Sequence, residues 1–321
     1  GNDSSDTAIL SLLSGHTLQT NFATMGKSAD TNAELYVSPE GNGATWDVGG
    51  SITVGESGLA NLFIGLNGSV SASELVIARN ESVIAGLVAE SNGTAANPSL
   101  SVGSLAIGLD GAGTMLVRED AVQSTVAVLG VGATGVGAAR LGADVQKQSP
   151  LLSRWETGTL TIGDKGVGEL SIAADSTVVV TGSESNNVAS QAGSSGTVTI
   201  DGCDALLETN LFTVGQSGSA TLTIDGGGAL QANTLGIGLG AGSTGDVTVR
   251  GACASGTPSM IRVPLGQETF IGNSGTGILR LAQWAMSEMG NVTMGLLSGG
   301  AGLAIVDAST WNIGGALALS S

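Results

Sequence analysis

The chain has 321 residues, 53 of them glycine and only 5 proline, with 41% apolar residues, 3% aromatic residues and a net charge of −17. Valine, leucine and isoleucine are too abundant for a disordered linker, and rings too scarce for one thick globular core, so a core of thin aliphatic layers is implied. The ten basic residues are scattered, which excludes a concentrated cationic face for nucleic acid, and the apolar run from Ser124 to Ala139 is glycine-rich and too short for a membrane helix.

Short alternating segments closed by glycine recur from the first residues onward. Leu18 to Gly26 reads like Leu207 to Gly215 with one residue fewer, so the opening belongs to the same repeat. Gly26, Gly55, Gly108, Gly163, Gly215 and Gly272 each end a short strand. Nine residues after five of them stand Ile64, Val117, Ile172, Ile224 and Leu281, and Val37 follows Gly26 two residues later than that. A third strand precedes many of these glycines, most clearly Ala44 to Gly50 and its copy Ser309 to Gly315. Further copies end at Ile200, Val249 and Ile305, and weaker ones lie near Val88 and Leu141. Period-two alternation between glycine turns predicts strands, and stacked copies predict an all-β parallel β-helix, a solenoid of roughly eleven coils. One coil buries nothing alone, whereas a stack buries a continuous aliphatic column and pairs its strand edges.

The organisation expected is a single β-helix segment over 1–321. Polar insertions near 90–99, 144–156, 183–196 and 251–260 interrupt it as surface loops. The final residues, Ala318 to Ser321, carry no evident polar cap, as in a segment of a longer solenoid.

Four constellations invite a chemical reading. Gly272-Asn273-Ser274-Gly275 has the glycine-flanked serine of a serine protease, but the same slot holds Glu56-Ser57 and Gln216-Ser217, and a nucleophile repeated in several coils is a turn. His16 is the one histidine and has no evident partner for a triad or a metal. Asp201, Asp225 and Arg250 follow equivalent strand ends and should stack as a surface ladder. Cys203 and Cys253 fall two coils apart in this register, about 9 to 10 Å along the axis, which predicts two free thiols.

The insertion region holding Arg140, Lys147, Arg154 and Trp155 gathers three of the ten basic residues and one of the four tryptophans. Cations beside an exposed indole suit an acidic glycan or a protein partner, and these four are the candidate ligand-binding residues. The competing reading makes Trp155 a core residue like Trp46. No catalytic, cofactor or metal residue is singled out; carboxylate-based glycan cleavage would need an acidic cluster across coils, of which Arg118-Glu119-Asp120 is the clearest local instance and reads equally as a solvated turn.

Thr159 to Ile172 (Thr-Leu-Thr-Ile-Gly-x-x-Gly-x-Gly-x-Leu-x-Ile) and Ala44 to Gly55 (Ala-Thr-Trp-x-Val-Gly-Gly-x-Ile-x-Val-Gly) resemble the repeats of autotransporter passenger domains of Gram-negative bacteria. Within these the chain is similar to the self-associating adhesins related to AIDA and pertactin. The resemblance implies a right-handed β-helix exported to the cell surface or secreted, and held at the outer membrane by a C-terminal barrel that this chain does not match. It also implies a cell-adhesion and virulence role: attachment to host glycans or extracellular-matrix proteins, autoaggregation by self-association of passengers on neighbouring cells, and biofilm growth. A binding protein is therefore expected rather than an enzyme, without cofactor or nucleic acid. The alternative is a secreted β-helix lyase or hydrolase of polysaccharide.

Overall fold

A computed structural model describes residues 7–13, 15–38, 43–90, 99–118, 121–142 and 152–320. Its residues group into two compact units, Gly1–Gly158 and Thr159–Ser321. The described residues form β-strands and turns with no helix, and the strands pair in parallel, coil upon coil.

In the first unit one sheet stacks Thr7–Leu12, Asn32–Val37, Leu59–Ile64, Ile84–Glu90, Ala112–Arg118 and Val136–Leu141. Their register aligns Leu12, Val37, Ile64, Ala89, Val117 and Leu141. The second unit repeats this with Val167–Ile172, Ser195–Asp201, Ser219–Asp225, Thr244–Arg250, Thr276–Ala282 and Ala301–Asp307, aligning Ile172, Ile200, Ile224, Val249, Leu281 and Val306. All of these from Val37 to Leu281 are buried to 2% exposure or less. A solenoid of twelve coils results, one more than the repeat predicts, because the coil of Thr7–Leu12 has no glycine anchor before it. The weak copy near Val88 and the copy at Ile305 are each one residue out of register: Ala89 and Val306 occupy the aligned positions.

The six anchor glycines all adopt left-handed backbone, with φ between 60° and 80°, where a β-carbon is disfavoured. At Gly215 the N–H donates to Val188 O of the coil below, and the turn then continues through Ser217 N to Ala189 O. The serines of the repeated Gly-x-Ser-Gly slot therefore sit in hydrogen-bonded turns between coils, and Ser274 N likewise donates to Leu239 O.

The insertions fare differently. Residues 91–98 and 143–151 lie outside the described ones; Glu90 and Ser99 are strand ends, and residues 153–156, expected within the second insertion, open the strand Ser153–Ile162 instead of a loop. Residues 183–196 are not a surface insertion: Ser185–Val188 is a strand paired with Leu206–Val214, and Asn186 within it is fully buried. The Asn186 side chain accepts from Leu160 N (2.9 Å) and donates to Thr209 Oγ1 (2.9 Å), with Glu184 O and Leu211 O at 3.2 Å. A polar residue in the core is stable there because its amide is fully engaged.

The segment expected as a loop at 251–260 folds back as a hairpin, bridged between Ala252 and Pro258, with Cys253 N donating to Thr257 O. This overturns the prediction of two free thiols. Cys203 and Cys253 form a disulfide, their Cα atoms 5.5 Å apart. The strand register still places them two coils apart, through Asp201–Asp225 and Ile224–Val249. The intervening coil turns through Gly226-Gly227-Gly228, and over that bare turn the hairpin leans back. A β-carbon on Gly227 would stand 2.8 Å from the Cys253 Cβ, and Gly227 N donates to Ser259 Oγ at 3.0 Å. The absence of side chains lets the bridge span a separation that axial spacing alone forbids.

Candidate functional site

The binding residues expected from sequence do not form one exposed cluster. Trp155 lies in the strand Ser153–Ile162 and is 0% exposed; its indole Nε1 donates to Ser124 Oγ at 3.1 Å, and Ser124 in turn donates to Thr157 Oγ1. It is a core residue, as Trp46 is, with Nε1 donating to Thr20 Oγ1. Strand alternation turns Trp155 inward and its neighbour Arg154 outward, where Arg154 pairs with Glu156 at 3.3 Å. Arg140 is exposed on the separate strand Val136–Leu141, and Lys147 lies outside the described residues. The exposed indole is instead Trp284, 79% accessible in a left-handed turn whose backbone N–H donates to Ala308 O.

The ladder expected at Asp201, Asp225 and Arg250 is present. Asp201 and Asp225 are aligned in register, and Arg250 Nε donates to Asp225 Oδ2 at 2.7 Å. Arg250 is exposed and Asp225 half-buried at the surface, so solvent screens the pair and it contributes under about 1 kcal/mol. His16 is exposed in a turn, and Arg118 pairs with Glu90 at 3.5 Å; Glu119 and Asp120 lie outside the described residues.

Two features of the second unit were not singled out by sequence. The first is a grid of short hydroxyl side chains on its long sheet. Ser171, Thr199, Thr223 and Thr248 align in one outward row, Thr197 and Thr221 in the next, and Ser195, Ser219 and Thr244 in a third. Thr244 Oγ1 donates to Ser219 Oγ at 2.9 Å. Across the coils of Ser195–Thr199 and Ser219–Thr223 the grid carries no charge; it is bounded by Glu169 below, by the Asp246–Arg280 ion pair above, and at the strand ends by Asp201 and the Asp225–Arg250 pair. Stacked β-branched side chains on a sheet are already conformationally restricted, so burying them orders little further.

The second is a groove where strands bend. Leu206–Val214 and Ala229–Ile237 each change phase near their middle, so that Asn210-Leu211 and Asn233-Thr234 both break the inward–outward alternation. A cleft of about 310 Å³ lies along this bend, lined by polar side chains that include Glu208, Asn210, Gln231, Asn233 and Arg262. Glu208, Gln231, Arg262 and Glu288 are successive rungs of one row. Arg262 is held by Glu288, with Nε and Nη2 each 2.9 Å from Oε2. Asn233 Nδ2 donates to Asn210 Oδ1, and Asn210 Nδ2 to Gly182 O. Spacings of 23 residues (Glu208 to Gln231, Asn210 to Asn233) are the signal in the sequence; read along the chain, such residues are indistinguishable from any outward polar position.

Comparison with family models, with curated proteins and with solved structures gives no match.

Proposed function

We propose that this chain is a surface-displayed adhesin segment of the autotransporter-passenger type, acting by self-association between copies on neighbouring cells. The observation that supports this reading best is the uncharged hydroxyl grid of Thr197, Thr199, Thr221 and Thr223 on a chain of net charge −17. Like-charged copies repel over most of their surface, and association is least opposed where charge is absent and side chains are short. The Cys203–Cys253 bridge fits an oxidising compartment outside the cytosol. The two segments that carry the resemblance fall on equivalent parts of a coil: Thr159 to Ile172 and Ala44 to Gly55 each include the end of a strand followed by its left-handed glycine, Gly163 and Gly55.

The test is display of the chain on bacteria that do not otherwise clump. Wild-type display produces settling of the culture, and Thr199→Arg with Thr223→Arg, which place bulky charge in the grid without touching the core, abolish it. Settling that persists in the double variant refutes the grid as the contact. Release of reducing or unsaturated ends from polysaccharide would favour the enzymatic alternative instead.

A further inference from the structure

The groove at the strand bend differs from its counterpart in the first unit, where the outward row of Gln19, Asp47, Ser71, Ser101 and Gln123 is mostly short and partly self-satisfied, with Ser71 Oγ donating to Asp47 Oδ1 at 2.8 Å. In the second unit the same kind of row holds long side chains, and a cavity opens between them. Neither the Glu208 carboxylate nor the Gln231 amide has a hydrogen-bond partner among the described residues. Their backbones stand on adjacent rungs, about 4.8 Å apart, and a carboxylate and a primary amide both line the cleft. Asn233 adds a carbonyl oxygen whose own amide is already committed to Asn210. Pro264 contributes apolar surface at the rim.

This chemistry selects a ligand. Carboxylates and planar amides offer paired acceptors and donors that match neighbouring hydroxyl groups, and apolar rim atoms suit the C–H face of a sugar ring. The volume falls at the lower end of small-molecule sites. Charge settles which sugars fit. Among the described residues Arg262 is the one cation lining this cleft, and Glu288 neutralises it, so Glu208 leaves the groove with an excess negative charge within a strongly acidic chain. An anionic glycan is repelled there.

We propose that the groove at Glu208, Asn210, Gln231 and Asn233 is a binding site for neutral oligosaccharide, recognised through adjacent ring hydroxyls. The site is distinct from the hydroxyl grid, and it stands or falls separately from self-association. The test uses the whole chain, titrated calorimetrically and on an array with neutral gluco- and manno-oligosaccharides, their sulfated forms and sialylated oligosaccharides. Neutral chains are expected to bind at least tenfold more tightly than the anionic ones. Glu208→Ala with Gln231→Ala should weaken that binding tenfold or more. Glu208→Gln should narrow the gap between neutral and anionic ligands, a change that mere loss of structure does not produce. Both variants alter outward side chains, so far-UV circular dichroism and the thermal midpoint should match wild type, and clumping of displaying cells should be unchanged. Absence of binding to every neutral chain, equal binding of sulfated chains, or wild-type affinity in the double variant would each overturn the proposal.

Discussion

Replacing Asn186 by leucine tests whether a buried amide, rather than apolar packing, fixes the strand Ser185–Val188 in place. The two side chains share branching and heavy-atom count, so the substitution removes hydrogen bonds, and the bulkier leucine can only add overpacking to that cost. Leu160 N loses its acceptor at 2.9 Å, and Thr209 Oγ1, Leu211 O and Glu184 O lose a donor at 2.9, 3.2 and 3.2 Å. Leaving a buried polar group unsatisfied costs about 1–3 kcal/mol; Thr209 can turn its hydroxyl elsewhere and the carbonyl of the exposed Glu184 can turn to water, so the loss from Leu160 N and Leu211 O is about 4 kcal/mol. Burying the leucine side chain returns about 1–2 kcal/mol. The expected net destabilisation is about 2–3 kcal/mol. The neighbouring Asn187 provides the control, since the hydrogen bond shown for its side chain is a 3.4 Å contact to Ser185 O; Asn187→Leu should cost under about 0.5 kcal/mol. Urea unfolding of the second unit measures both. Because stacked coils need not unfold in one step, exchange of the Leu160 amide provides a local readout and should accelerate only in the Asn186 variant. Equal stability of the two variants, or unchanged Leu160 protection, would refute the assignment.

Two further outcomes are expected. Replacing Cys203 and Cys253 by serine opens a loop with a sequence separation of 50, for which the chain-entropy relation gives about 4 kcal/mol; equilibrium unfolding with and without reductant checks this, and a change under about 1 kcal/mol contradicts a formed bridge. Clumping of displaying cells should strengthen as salt rises, because screening weakens the repulsion of net charge −17, and also in mild acid as carboxylates gain protons and that charge shrinks; steady weakening with salt in settling assays would indicate complementary charged faces instead.

Much of the fold is legible in the sequence because one backbone requirement repeats. Gly26, Gly55, Gly108, Gly163, Gly215 and Gly272 mark left-handed turns, and the aliphatic residue nine positions on, or eleven after Gly26, lands in the buried column. Legibility fails where a coil departs from that code. Thr7–Leu12 precedes the first anchor and so escapes counting. Ser185–Val188 reads as a loop because its inward positions include asparagine, whose fitness for the core depends on partners 23 to 26 residues away. Trp155 is drawn inward by strand alternation, although its neighbours in sequence are polar. The disulfide is hidden for a different reason: spacing along the axis is predictable, but the backward lean of a hairpin over three glycines is a property of the turn. The groove rests on side-chain length at aligned positions, which only the register between coils brings together.

The bridge from Cys203 to Cys253 has a mechanical consequence when the chain is put under tension. A stack of coils pulled from one end peels one rung at a time, each rung resisting only through its neighbour. Here the residues between the two cysteines are withheld from extension, which keeps about 170 Å of contour length out of reach of the load. Tension that unravels the coils on either side therefore leaves this portion of the second unit as a knot of fixed size, its hydroxyl rungs at Ser219, Thr221 and Thr223 enclosed within the linked segment.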